Sequence, residues 1–301
     1  MAIDGWPELP YEPFADTRDV LHMWTQVVGK VKLALCPYLN EWWEVALHPS
    51  ARGLTSGLIP WGEESFEMEF DFVAHRLAIR TAAGEERTVT LAPKTVSAFH
   101  AEVMAALASL GVEPTISTLP AELPGEPVPF EDDDRVGYDA AAVERWWHAL
   151  LAIERVIQRY RTPFSGKSSG ALFFWGGFDL AHARFSGRPA PPEPGTNPIL
   201  AYGEDQENVA IGFWPGSREF PHPLLYAYIH PAPDGIAGAP IEPAAARWEP
   251  TLGEFVLTYA DALATGDPAG AIAIFFQSAY ELCAGLSGWD REALEGAVPG
   301  E

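Results

Sequence analysis

Residues 17 to 35 set Val20, Leu21, Trp24, Val27, Val28, Val31 and Leu35 at helical spacing, which predicts a helix with a wide apolar face. Asp16 and Thr17 are of the type that caps such a helix, and Pro37 stops it. Ahead of it, prolines at 7, 10 and 13 predict an extended arm. Beyond Pro37 the period changes to two. Trp43, Val45 and Leu47 alternate with Glu44 and Ala46, and Phe66, Met68, Phe70 and Phe72 with Glu67, Glu69 and Asp71. Leu77/Ile79 and Val89/Leu91 continue the pattern, with turns at Val73-Ala74 and Ala83-Gly84. This predicts an antiparallel meander with one wet face. Pro93 opens a second helix over about 95–110, with Val96, Phe99, Val103, Leu107 and Leu110 on one face and Gly111 as its stop.

Residues 113–138 hold five prolines and the run Glu131-Asp132-Asp133-Asp134, so they read as a connection laid over the surface. A third helix is expected over about 139–161, carrying Val143, Trp146, Trp147, Leu150, Ile153, Ile157 and Tyr160, with Pro163 ending it. Strands are expected over 171–178, from His182, and near 207–214 and 224–230, with a proline-rich loop at 189–198. A last helix is expected over about 268–284. Helix, several strands, then helix thus occurs twice. Trp43 precedes Arg52 by nine residues, and Trp175 precedes Arg184 by nine. The expected class is therefore α+β with antiparallel sheets and an internal duplication of an α-β-β-β-β-α unit. The two halves are expected at 1–125 and 126–301, closely packed.

Composition narrows the partners. Among 301 residues, 42 are Asp or Glu and 19 are Lys or Arg, a formal charge of −23. Such a surface repels phosphate backbones and anionic lipid, so neither nucleic acid nor membrane is expected as a partner. No apolar run approaches the roughly 18 residues that cross a bilayer, and no basic stretch followed by an apolar core opens the chain. Cys36 and Cys283 are distant and fit no metal or redox spacing, so free thiols in a reducing, cytoplasmic setting are expected.

Candidate chemistry lies in a few clusters. Gly166-Lys167-Ser168-Ser169-Gly170 has the letters of a nucleophile elbow, but a helix precedes it and a strand follows, the reverse of the required order. The eight histidines show no paired ligand spacing, so no metal and no cofactor are expected. His22, Gln26 and Lys30 form one polar stripe on the first helix, which a solvated face explains as well as a site does. Trp42-Trp43, Phe173-Phe174-Trp175 and Phe213-Trp214 put adjacent rings on opposite faces of a strand. Beside Arg52, Arg184, Arg188 and Asp179 they resemble a pocket wall with polar groups at its mouth. A sheet covered on both faces, its arginines paired with acids, is the plainer alternative.

The expected site is a pocket for an anionic or flat small molecule, catalytic or not. Its candidate lining is Trp24, Gln26, Lys30, Trp43, Arg52, Lys167, Trp175, Arg184, Arg188 and Trp214, with Asp179 or His22 to move a proton. Lysines and arginines drawn from both halves would hold a small-molecule anion, and tryptophans would stack on its flat portion. The alternative is a non-catalytic interaction or oligomerisation module that uses an aromatic-rich surface.

Several segments are more specific than these patterns. Leu21-His22-Met23-Trp24-Thr25-Gln26-Val27-Val28-Gly29-Lys30 and Phe174-Trp175-Gly176-Gly177-Phe178-Asp179-Leu180 resemble a bacterial family of uncharacterised proteins, domain of unknown function 5996. Arg184-Phe185-Ser186-Gly187-Arg188, Gly212-Phe213-Trp214-Pro215-Gly216 and Gly288-Trp289-Asp290-Arg291 extend the likeness over nearly the whole chain. The resemblance implies family membership and no particular activity. It also implies two departures: relatives often carry histidine where this chain has Glu41 and Leu172.

Overall fold

The computed structural model describes residues 5–296. The outermost residues of the two expected halves, and most of the opening stretch read for a leader, lie outside that range. The arm ends in a short 3-10 turn, Glu12–Phe14, and passes into α1, Ala15–Leu35. Its apolar side, with Leu21, Trp24, Val28 and Val31, is fully buried. A first antiparallel sheet follows, made of β1 His48–Pro49, β2 Gly53–Trp61, β3 Glu64–Asp71, β4 Arg76–Thr81 and β5 Glu86–Thr90, in that order across the sheet. α2, Val96–Ala108, starts on a Thr95 side-chain cap, with Oγ1 accepting from the Ala98 amide. Residues 113–138 form a strap whose regular structure is a single 3-10 turn at Phe130–Asp132.

α3, Ala140–Arg161, is capped by Asp139 and carries the second half. The second sheet is built from β6 Leu172–Phe174, β7 Asp179–Pro189, β8 Gln206–Trp214, β9 Leu224–His230, β10 Arg247–Glu249 and β11 Glu254–Thr258. Its order is β10-β11-β9-β8-β7-β6, antiparallel throughout. A short helix, α4 Pro198–Gly203, interrupts the β7–β8 connection. α5 Tyr259–Ala264, α6 Pro268–Leu286 and α7 Arg291–Leu294 close the described chain. Paired amide–carbonyl bonds between Leu47 and Phe173, 2.9 and 2.8 Å, tie the edge of the first sheet to the edge of the second. One apolar cluster runs through residues of both halves.

The class is α+β with two antiparallel sheets. The duplication is not borne out residue by residue. Trp43 sits in a turn before β1, whereas Trp175 sits in the turn after β6; Arg52 is exposed, whereas Arg184 is 1% exposed. Two predicted strands are also shorter than their patterns. Residues 40–45 form a 3-10 turn and a following hydrogen-bonded turn, because Glu41 and Trp42 take left-handed backbone angles. The 171–178 strand ends at Phe174, and Trp175–Phe178 turn the chain into β7. β2, β10 and β11 are strands with no prior expectation; Gly53, Gly57 and Pro60 break the alternation in β2, which bulges between Thr55 and Leu58. The expectation that no segment is long and apolar enough to span a bilayer is also corrected. α6, with 19 residues and mean hydropathy 1.3, meets that test by length and composition, and in this fold it packs on α3 and the second sheet.

Candidate functional site

β7, β8 and β9 alternate strictly. One face carries Leu180, His182 and Arg184, then Val209, Ile211 and Phe213, then Leu225, Ala227 and Ile229, and it packs under α3 and α6. The opposite face carries Asp179, Ala181 and Ala183, then Asn208, Ala210 and Gly212, then Tyr226 and Tyr228. Across the β7–β8 pair Ala181 faces Gly212 and Ala183 faces Ala210. Ala181, Ala183 and Ala210 keep the middle of the sheet low, the Tyr226 ring lies over Gly212, and the larger side chains around them become walls. The result is a cavity of about 340 Å³. Trp43 and Trp175 wall it, the residues of α4 cover it, and Lys30 and Glu122 close one end. A second, wider chamber of about 970 Å³ adjoins it, lined by Arg18, His22, Trp214, Arg218 and Glu254 among others. Glu122, Gly176, Asp179, Tyr226 and Tyr228 line both, so the two form one cleft.

The glycines in the sequence segments act here by close approach. A Cβ on Gly212 would collide with the Tyr226 phenol and the Leu180 carbonyl. Tyr226 on β9 therefore lies across β8, and its hydroxyl donates to Asp179 Oδ2 on β7. A Cβ on Gly29 of α1 would fall inside the Trp175 indole, whose N–H donates to the Val45 carbonyl at 2.9 Å. At Gly176 a Cβ would strike the Glu122 carboxylate. Glu122 itself holds a left-handed backbone, φ +57°. Gln26 secures that turn with two bonds to Ala121, Oε1 accepting from its amide at 2.7 Å and Nε2 donating to its carbonyl at 2.8 Å.

The polar stripe of α1 is buried and belongs to the cleft. His22 Nε2 lies 2.8 Å from the Gly176 carbonyl, which can only accept, so Nε2 carries the hydrogen. Burial pushes the imidazole down to about 3, so the ring is neutral and is no proton donor at physiological pH. Burial also lowers Lys30, whose ammonium stands 5.9 Å from the Trp175 ring and is drawn by Glu122. The acids move the other way. Desolvation pushes Asp179 up to about 7, against the Tyr226 hydrogen bond, and pushes Glu254 up to about 7 with Asp179 adding repulsion. Glu122 is raised by the protein around its carboxyl and pulled back by Lys30. Glu204 accepts from Tyr228 at 2.9 Å and from Asn208 at 2.6 Å. Glu41, where the resemblance implied histidine in relatives, is buried and bound to Lys167 Nζ at 2.5 Å. That ammonium also sits 5.4 Å from the Trp43 ring and 4.3 Å from Phe185.

Of the expected residues, the cleft gathers Lys30, Trp43, Trp175, Asp179, His22 and Trp214 in its lining, with Gln26 and Lys167 just behind it. It does not gather Trp24 or the three arginines. Trp24 is core, stacked on Phe99 at 4.6 Å. Arg52 bonds Asp71 at 2.8 Å on the first sheet. Arg188 bonds Glu207 and the Ser287 carbonyl at the end of α6. Arg184 faces the helices, caged by Tyr160, Phe164 and Tyr280 and donating to the Tyr160 carbonyl. Period two decides the matter: Ala183 faces the cleft, so Arg184 cannot. The arginine cradle for an anion is thus corrected. Tyr226, Tyr228, Glu122, Glu204 and Glu254 went unrecognised; the small–x–small spacing of Ala181 and Ala183 was the available signal for the hollow. Among the described residues no group of three or more His, Cys, Asp or Glu is placed to hold a metal ion.

The match to Family of unknown function (DUF5996) spans residues 6–296, nearly the whole chain and every wall of this cleft. The chain belongs to that family. No curated protein and no solved structure matches it. In this DUF5996 protein the segments that carried the resemblance supply the cleft: Lys30 and Trp175 one side, with Gly29 letting the indole in, Gly176 and Asp179 the junction, and Trp214 part of the wider chamber, while Gly212 seats the Tyr226 ring.

Proposed function

We propose that this DUF5996 protein binds a small, flat organic cation in the cleft between the second sheet, α1 and α4. One observation carries the reading: the cleft is walled by indole and phenol rings and has acids that no protein cation neutralises, Asp179 at its junction and Glu254 in the wider chamber. Glu41 is matched by Lys167 and Glu122 by Lys30, but Asp179 and Glu254 meet no lysine or arginine among the described residues. A cationic guest supplies that missing charge, and its flat portion lies against Trp43 and Trp175. With Asp179 near half-protonated at neutral pH, an arriving ammonium displaces its proton rather than meeting a neutral wall.

The test is a calorimetric or NMR titration of the full chain with benzylammonium and, separately, benzoate. Millimolar or tighter binding of benzylammonium, absent for benzoate and weakened by Asp179→Asn, is expected. Equal binding of the two, or shifts at residues away from the cleft, would remove the basis of the reading. The interaction-module alternative draws on one patch: Tyr38, Trp42 and Tyr202 meet edge to face at the mouth, with Tyr38 and Tyr202 exposed. Light scattering decides that point, since a concentration-independent monomer speaks against it.

A further inference from the structure

Resting on the cation reading, we infer that the ligand also carries a carboxylate, received by Arg18 in the wider chamber one helical turn from the cation subsite. Arg18, His22, Gln26 and Lys30 follow at intervals of four on α1, and all four are buried. The stripe runs from the wide chamber, lined by Arg18 and His22, to the narrow one, lined by Lys30. Arg18 is 7% exposed, a cation with five N–H donors. Its side chain makes one bond among the described residues, Nη1 to Asp19 Oδ1 at 3.2 Å, while Nε is buried without a partner. Asp19 is already shared, its Oδ2 taken by Arg218 Nε at 2.7 Å. Below the guanidinium lies the Phe178 ring at 5.4 Å, and burial lowers the pKa of the group.

A buried guanidinium held by half of one carboxylate is an incomplete ion pair, and a planar two-oxygen anion completes it. The other arginines at this chamber are better supplied. Arg218 bonds both Asp16 and Asp19, and Arg135 bonds Asp133. His22 beside Arg18 is neutral and gives its one N–H to the Gly176 carbonyl, so of the two Arg18 alone supplies donors for the carboxylate. The acids of the chamber are spread around it: Asp19 beside Arg18, Glu122 on the strap, Glu219 between β8 and β9, and, on the sheet, Asp179 on β7 and Glu254 on β11. Arg18 on α1 and the two acids that meet no protein cation, Asp179 and Glu254, line the same chamber. Arg18 precedes His22 by four residues, about 6 Å along the helix, and His22 touches Gly176 at the junction. The two subsites thus suit a molecule whose amine and carboxylate stand apart across a ring, rather than on one carbon.

The experiment compares benzylammonium, 4-(aminomethyl)benzoate and the methyl ester of that acid on the full chain. The free acid should bind roughly tenfold or more tightly than either cation lacking the carboxylate, a gain typical of a hydrogen bond to a charged group. Arg18→Gln should abolish the gain, read as the ratio of acid to ester affinity within the variant. If benzylammonium binds but the acid and the ester bind alike, the carboxylate subsite is refuted and the cation reading stands. Persistence of the gain in a folded Arg18→Gln would also overturn the assignment to Arg18. Failure of benzylammonium itself removes both. The acid–ester comparison needs no variant, so poor folding of Arg18→Gln leaves the test intact.

Discussion

Asp179→Asn should change how the protein's stability depends on pH, and the structure sets both sign and size. The carboxyl has an ordinary value of 3.8 and is raised by burial to about 7 in the fold. The folded state therefore binds this proton more tightly than the unfolded chain does. The group's stabilising contribution is complete below about pH 4, shrinks as pH rises, and is gone above about pH 7. Three units at about 1.36 kcal/mol each give about 4 kcal/mol over that window, of which about 2.7 falls between pH 5 and 8. Asp179 opens onto the cleft, so water reaches it and the effect over pH 5–8 should be nearer 1–2 kcal/mol. Asparagine keeps an acceptor for the Tyr226 hydroxyl and cannot ionise, so it lacks this slope. It also relieves the repulsion on Glu254, which flattens the variant's profile further. Urea unfolding of both proteins at pH 5, 6, 7 and 8 measures the difference, and any constant cost of the amide cancels between pH values. The variant should gain on the wild type steadily as pH rises. Parallel profiles, agreeing within about 0.3 kcal/mol at all four pH values, would show that Asp179 is no buried, protonatable acid.

Gly29→Ala places a methyl group inside the Trp175 indole, so thermal melting should show a loss of about 1–3 kcal/mol together with a changed tryptophan emission. Gln26→Leu removes both bonds to Ala121; hydrogen exchange at the strap should accelerate while α3 keeps its protection, at a cost of about 1–3 kcal/mol. Arg184→Met should leave benzylammonium affinity within about twofold, because its guanidinium lies on the helix side of the sheet; a larger loss would return Arg184 to the cleft.

The helices were legible from periodicity: α2, α3 and α6 each bury one face and the chain records which, while α1 shows an apolar spacing although Val20 to Lys32 is buried all round. The meander from β3 to β5 was legible for the same reason at period two. The indole and glycine segments were visible as local text, and most of the residues they named do meet at the cleft. Local pattern could not assign partners. Whether the α1 stripe faced water or protein depended on a strap some 95 residues later, whose Ala121 Gln26 clasps. Nor could counting cations in an acidic chain predict that Arg52, Arg184 and Arg188 are each consumed by the fold, at Asp71, a ring cage and the end of α6. The hollow itself exists because β7 and β8 pair in the register that brings Ala181, Ala183 and Ala210 together, beside a Gly212 that seats the Tyr226 ring. Each strand states which residues share a face, but strand pairing decides which small residues become neighbours, and an empty space is a property of neighbours.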